Sequence, residues 1–446
     1  MRLRKTALFA AGLLTASLLA ADGKIFPYSY VQEDLPNGLR LVTIPTDYRN
    51  IVSLFIVVGT GSRNEVEPGK SGFAHLFEHL MFRGTAEFPP ERYEAEIQNA
   101  GAASNAFTSD DLTAFHTTFS KEDLPRILSM EADRFAHLSF TQEAFKTETR
   151  AVLGEYNKNS ASPSEKLYEV LRATAFHVHT YQHTTMGFLK DIESMPGEYD
   201  YSRQFFDRYY RPEYTTIIVA GDVDPKRVRS LIDERWGTWK RGSFKVSIPA
   251  EPPQTAPRTA SIDWPSETLP WIAVAWHGPA YTDTSEETVA LDAIARLGFG
   301  QTSPLYQELV IDEQKVDSIN AGPPTNIDPE LFAAIARVKK AADLPSIQER
   351  LITTAQGFAS KPVDAKKLEI LKEHLRYEFA LQLNNSESIA STVAQYVALR
   401  RTPETINRFY EAYARLTPAD IQKAAQKYLI ANNRTIVTLK STAGSK

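Results

Sequence analysis

Four prolines fall within the ten residues Ile248 to Pro257 of this 446-residue chain. Proline has no amide donor and a fixed φ, so the segment can neither continue a helix nor sit in a central strand, and it reads as an extended linker. This stretch predicts a boundary at residues 248–258, with one domain over 22–247 and a second over 259–446. At 42% hydrophobic and 24% charged, the chain has enough apolar material for large cores, which excludes a disordered or fibrous protein.

The two halves repeat an order of elements. Leu35-Pro36-Asn37-Gly38 is a turn signal, flanked by the alternating Leu39 and Leu41 and by the apolar run Val52–Val58, which read as strands of one sheet. Apolar residues then recur at helical spacing from Ser71 to Leu80, Glu91 to Ala100, Lys121 to Ala136 and Gln142 to Lys158, with Thr141 as a cap. Tyr214–Ala220 returns to strand, and Pro225 opens a helix to Trp236. Beyond the linker come a strand at Trp271–Trp276, a helix at Glu286–Leu297, a glycine loop at Gly298–Gly300 and a strand at Glu330–Val338. Two long helical stretches, a helix start at Thr417-Pro418-Ala419-Asp420 and a strand at Thr435–Leu439 complete the chain. The expected class is α+β, with two similar units.

Arg2, Arg4 and Lys5 precede the apolar run Thr6–Ala20 and the pair Ala20-Ala21, the pattern of a secretory signal over residues 1–21 cleaved near Ala20 or Ala21. The run is shorter than the roughly twenty residues of a spanning helix. Leu18 or Leu19 stands where a small residue is preferred before the cut, which leaves an uncleaved anchor as the alternative. Cleavage removes three cations and no anions, taking the formal net charge from −5 to −8. The expected location is periplasmic or secreted, without a stable membrane anchor. Near-balanced charge gives no field to recruit nucleic acid. The chain has no cysteine, which excludes disulfides, thiolate metal sites and cysteine nucleophiles, so any metal must sit on His, Asp or Glu.

The chemistry concentrates in one helix. In Phe73-Ala-His75-Leu-Phe-Glu78-His79-Leu-Met, the histidines lie four apart, so one face presents both imidazoles to a common point. Glu78 lies near that face, where its carboxylate can take a proton from water on a metal. Histidine, two spacers, glutamate, histidine is the inverzincin order. Chance would produce it in roughly one chain in a hundred of this composition. A solvated surface helix is the bland alternative, but Phe73, Leu76, Phe77, Leu80 and Met81 indicate burial, and buried imidazoles beside a carboxylate need a partner. Along Gln142–Lys158, Glu148 and Glu155 share a face: one can complete a zinc site while the other orients a ligand imidazole.

His75-Leu-Phe-Glu78-His79, the following Met-Phe-Arg-Gly-Thr and Glu155 resemble the pitrilysin/insulysin family of metallopeptidases, over nearly all of the chain after residue 21. The half-length members, which include the catalytic subunit of mitochondrial processing peptidase and bacterial exported relatives, suit the size best. The resemblance implies His75, His79 and Glu155 as ligands of one Zn2+, Glu78 as catalytic base and Glu148 as the carboxylate behind a ligand. It implies that Gly101–Thr108, with Asn105 and Ala106, forms the edge strand on which a peptide substrate lies. It also implies two homologous α+β domains, each a mostly antiparallel sheet covered by helices, forming half of a clamshell dimer.

One departure bears on activity. Family members active alone carry, after the glycine loop of the second domain, an Arg in a Ser-Arg-Leu run and a Tyr about thirteen residues on. Here Pro304 stands at the Arg position and Asp317 at the Tyr position. Proline has no donor and an ionised aspartate only accepts, so neither can replace the pair at an oxyanion. The expectation is the zinc-bearing subunit of a heterodimer whose related partner subunit supplies Arg and Tyr. The competing function class is a non-catalytic scaffold or peptide binder of the same fold, against which the retained Glu78 argues. Of the other candidates, His177, His179 and His183 fit no single helical face and read as a loop near the cleft. His116 reads as a strand residue, Phe205–Tyr210 as core, and Arg400-Arg401 as a solvated helix end.

Overall fold

A computed structural model describes residues 24–443. The proposed signal segment lies outside the described residues. Six strands form the first sheet: β1 (Val31–Asp34), β2 (Arg40–Pro45), β3 (Ile51–Val58), β4 (Ala103–Thr108), β5 (Thr113–Ser120) and β6 (Thr215–Gly221), in the order β1-β2-β6-β3-β5-β4. All neighbours are antiparallel except β2 and β6. Five strands form the second: β7 (Arg258–Trp264), β8 (Trp271–His277), β9 (Val316–Gly322), β10 (Leu331–Val338) and β11 (Arg434–Ser441), in the order β7-β11-β8-β10-β9, with the single parallel pair at β7 and β11. The parallel pair thus stands at one end of a shared five-strand order, β2-β6-β3-β5-β4 in the first sheet and β7-β11-β8-β10-β9 in the second, and β4 and β9 are the equivalent edges at the other end. The protein is α+β, built from two homologous units.

Local signals place many of the elements. The Leu35–Gly38 turn closes with Gly38 N donating to Leu35 O at 2.9 Å, and Gly38 adopts φ +93°. Thr141 Oγ1 accepts from Ala144 N at 3.1 Å, and Thr417 and Asp420 cap one another's backbone. Residues 240–257 carry neither helix nor strand, and β7 starts at Arg258.

The tertiary covering is less local. β3 and β6 are apolar and buried almost end to end, so the first sheet needs cover on both faces. One face carries the first unit's own core, including Phe73, Phe77 and Phe205. The other is covered by Ile389, Val393 and Val397 of helix Ser386–Arg400, which comes from the second half, each side chain contributing about 1.5–3 kcal/mol of burial. Reciprocally, Leu167, Leu171 and Ala175 of helix Pro163–Ala175, from the first half, lie on Ala273, Ala275, Val437 and Leu439 of the second sheet. Each half lends a helix to the other.

Three expectations need correction. Gly298 is inside helix Glu287–Phe299, where a Cβ would stand 2.7 Å from the Phe358 ring, so it serves helix packing and not a loop. The two long helical stretches are four helices, Leu344–Ser360, Ala365–Gln382, Ser386–Arg400 and Glu404–Arg415. Arg401 is not a solvated helix end: at φ +54° it donates to Glu213 O at 2.7 Å and Thr215 O at 2.9 Å, tying the borrowed helix to the first sheet. Among the described residues, no helix is long and apolar enough to cross a membrane.

Candidate active site and metal centre

Helix Phe73–Leu80 begins against a buried carboxylate. Glu65 Oε2 accepts from Gly72 N at 2.7 Å and Oε1 from Ala74 N at 2.6 Å, satisfying two of the amides that a helix start leaves unpaired. Burial pushes Glu65 up to about 8, against the pull of those two bonds. Gly72, at φ +90°, packs where a Cβ would meet Met186 O at 2.8 Å, so the backbone of the 184–188 loop lies directly on the helix start. Phe73, Leu76, Phe77 and Leu80 enter the core, which leaves the buried His75 and the half-buried Glu78 and His79 on the remaining face.

The structure brings the predicted ligand donors together. Glu155, on helix Gln142–Ser160, places Oε2 3.5 Å from His75 Nε2 and 3.6 Å from His79 Nε2, and one donor atom from each residue lies within 4.8 Å of the others. Tetrahedral bonds of zinc's length would leave donors roughly 3.4 Å apart, so this set fits such an ion. Burial, then the neighbouring His79, lowers His75 to about 4, with Glu155 opposing, so its imidazole is held in the neutral form that coordinates metals. The second nitrogens differ. His79 Nδ1 lies 3.3 Å from Glu148 Oε2, whose other oxygen accepts from Arg83, whereas His75 Nδ1 is buried without a partner among the described residues.

Glu78 stands beside this cluster. Its Oε2 accepts from Thr108 Oγ1 at 2.7 Å, which ties it to the last residue of β4. Burial raises its pKa, while the Thr108 bond and His79 lower it. Two cavities border it. One of about 430 Å3 is lined by His75, Glu78, Thr108, Glu155, Tyr168 and Arg172, among others. The other, about 310 Å3, is lined by Glu78, His79, Phe82, Arg83, Asn105, Ala106 and Glu148. Asn105 and Ala106 therefore sit on the unpaired edge of β4 and face the same space as the base candidate. A larger hollow of about 590 Å3, around Leu305 and Phe358, contains none of these residues.

Glu65, Arg83 and Thr108 escaped prediction as supports of the site, because their contacts are tertiary and follow no spacing rule. The hairpin tip after Thr108 is also fixed from afar. Asp110 accepts from Arg172 at 2.8 and 2.9 Å, and Asp111 accepts from Tyr181 at 2.7 Å and from Ile327 N of the second half at 2.9 Å. The remaining candidates contribute no donor to this cluster. Pro304 starts a helical turn and Asp317 pairs with Arg337 at 2.8 Å, and neither lines the two cavities beside Glu78. His179 is buried 3.0 Å from Asp328, His183 Nδ1 lies 2.9 Å from Thr184 O, and with His177 they form no metal cluster among the described residues. His116 stacks on Phe55 at 4.8 Å within the sheet, and Phe205, Tyr209 and Tyr210 are core.

Comparison with known proteins places the chain in a family. Residues 40–188 match the family model described as Insulinase (Peptidase family M16), and residues 198–375 match that described as Peptidase M16 inactive domain. Zinc protease PqqE of Helicobacter pylori is 27% identical over 440 residues, covering 96% of this chain and 98% of that protein. Mitochondrial-processing peptidase subunit beta of Dictyostelium discoideum is 24% identical over 423 residues, covering 89% of this chain and 85% of that protein. The crystal structure of a protease from Helicobacter pylori superposes with a TM-score of 0.86 at 26% identity, over 93% of this chain and 99% of that one. With both units matched by models of one family and full-length relatives of its own size, the chain belongs to peptidase family M16, the insulinase/pitrilysin-like family, as a half-length member carrying an N-terminal and a C-terminal M16 domain.

Proposed function

We propose that this M16 member is a zinc-dependent metalloendopeptidase that cleaves extended or unfolded peptides, with His75, His79 and Glu155 holding one Zn2+ and Glu78 as general base. The observation that carries the reading is the meeting of three ligand donors within 4.8 Å beside a carboxylate that belongs to none of them. When bound, zinc supplies Lewis acidity, lowering the pKa of water toward about 7 and polarising a carbonyl. Glu78 takes the proton from the attacking water and delivers it to the leaving amine. Thr108 holds one Glu78 oxygen, which leaves the other for that proton. Glu148 fixes the ring of His79 through Nδ1, and Arg83 fixes Glu148. An extended peptide adds to β4 by main-chain hydrogen bonds at Asn105 and Ala106, a mode that reads shape more than sequence and excludes folded substrates.

The chain acts as the zinc-bearing subunit of a heterodimer, enclosing a chamber with a related partner subunit. Pro304 and Asp317 support this, since neither supplies an oxyanion donor, as does the likeness to a protein named as a subunit, mitochondrial-processing peptidase subunit beta. The basic head and apolar run of residues 1–21 support export and a periplasmic or secreted location. The test is to express residues 22–446, strip metal with a chelator, restore zinc, and assay an unstructured peptide with and without a related subunit carrying the Arg/Tyr pair. Zinc-dependent turnover that rises on adding the subunit is expected. Turnover indifferent to zinc overturns the metallopeptidase reading, and full activity of the chain alone overturns the heterodimer.

A further inference from the structure

The cavity beside Glu78 contains a hydrogen-bond donor that the mechanism above does not use. Tyr168, on helix Pro163–Ala175, lines the same space of about 430 Å3 as His75, Glu78 and Glu155 and is 37% exposed. Its phenolic oxygen accepts from Arg172 Nη1 at 2.8 Å, one helical turn on. Arg172 cannot turn toward a ligand itself. It is 1% exposed, and each of its three nitrogens is anchored within the protein, Nε to Tyr181 O at 2.7 Å and both terminal nitrogens to Asp110 at 2.8 and 2.9 Å.

A guanidinium only donates, so the Arg172 contact occupies a lone pair of Tyr168 and leaves the phenol's own proton free. Among the described residues the only hydrogen bond at the Tyr168 hydroxyl is the one it accepts from Arg172. Burial pushes Tyr168 up to about 12, with Arg172 opposing, so the group stays an O–H donor throughout the working range of pH. Its surroundings make a donor useful. Glu78, Glu155, Glu165 and Asp110 line the cavity as acceptors, and a peptide laid there presents main-chain carbonyls that also accept.

We propose that Tyr168 is a peptide-binding residue, its O–H held by Arg172 and donating to a main-chain carbonyl of the bound peptide in the cavity beside Glu78. This rests on the peptidase reading. Tyr168 reaches the cavity from helix Pro163–Ala175 and is none of the groups that hold the metal or move the proton, so its bond forms with substrate and transition state alike and lowers KM without raising kcat.

The test is steady-state kinetics of Tyr168→Phe, which keeps the ring and its packing and removes only the hydroxyl, in the active assembly with an unstructured peptide. A hydrogen bond of ordinary strength predicts KM raised about tenfold and kcat within about twofold. Zinc content should stay unchanged, and the melting temperature should fall by no more than a few degrees, because one Arg172 N–H loses its acceptor. The dissociation constant for the same peptide, measured with Tyr168→Phe added to Glu78→Gln, should rise about tenfold relative to Glu78→Gln alone. KM and dissociation constant within twofold overturn the proposal, and so does a fall in kcat at constant KM, which would make Tyr168 a transition-state donor. If the unmodified protein turns over no peptide, the peptidase reading fails, while the binding comparison still decides the role of Tyr168.

Discussion

Replacing Glu65 with alanine removes the acceptor from two buried amides at the start of the metal helix, Gly72 N at 2.7 Å and Ala74 N at 2.6 Å. A buried donor left unpaired costs about 1–3 kcal/mol, so two cost roughly 2–6 kcal/mol. Part is returned, because Glu65 is itself penalised by burial, as its rise to about 8 records. A net loss of about 2–3 kcal/mol follows for the opening of helix Phe73–Leu80. His75 lies one residue beyond Ala74, so fraying reaches a ligand first. Native-state hydrogen exchange on peptides covering residues 72–80 reads the local opening free energy, and a zinc competition titration reads the ligand set. Faster exchange by the equivalent of 2–3 kcal/mol, together with zinc binding weakened at least about tenfold, is expected. Exchange and zinc affinity within about 0.5 kcal/mol of the parent would refute the idea that this carboxylate starts the helix.

Two further outcomes are expected. Glu148→Gln leaves His79 without a charged acceptor at Nδ1 and Arg83 without its partner, so zinc affinity should fall about 10- to 100-fold while helix content is unchanged; undiminished affinity in a metal competition assay would contradict the orienting role. Glu330 is raised from 4.5 to about 7 by burial, with Arg172 opposing. The folded protein then binds the extra proton between these values, so this group's contribution to stability is complete below about 4.5 and lost as pH rises through about 7. Relative to the parent, Glu330→Gln should therefore melt higher at pH 8 than at pH 5, and a melting difference independent of pH would contradict the assignment.

What could be read from the residues divides by range. His75, Glu78 and His79 were legible because a fixed helical spacing puts them on one face, and Thr141, Thr417 and the Leu35–Gly38 turn because caps and turns act within a few residues. Glu148 and Glu155 shared a face, but only the resemblance chose between them; the fold then placed Glu155 near both Nε2 atoms and Glu148 behind His79. Gly298 misled because a glycine required by the Phe358 ring against a helix looks like one required by a loop. The helices exchanged between the sheets could not be inferred, since Ser386–Arg400 and Pro163–Ala175 show ordinary apolar periodicity whichever sheet they cover. Arg401 misled for the same reason: its partners are carbonyls nearly two hundred residues away, at Glu213 and Thr215.

The central claim is that Glu78 moves the proton at a metal held by its neighbours. Glu78→Gln keeps the shape and the Thr108 contact while removing the base, so kcat for an unstructured peptide should fall about 100- to 10,000-fold. Zinc content by atomic absorption should stay at one ion per chain, with unchanged peptide affinity. Turnover within a few-fold of the parent, with zinc still bound, would contradict the account.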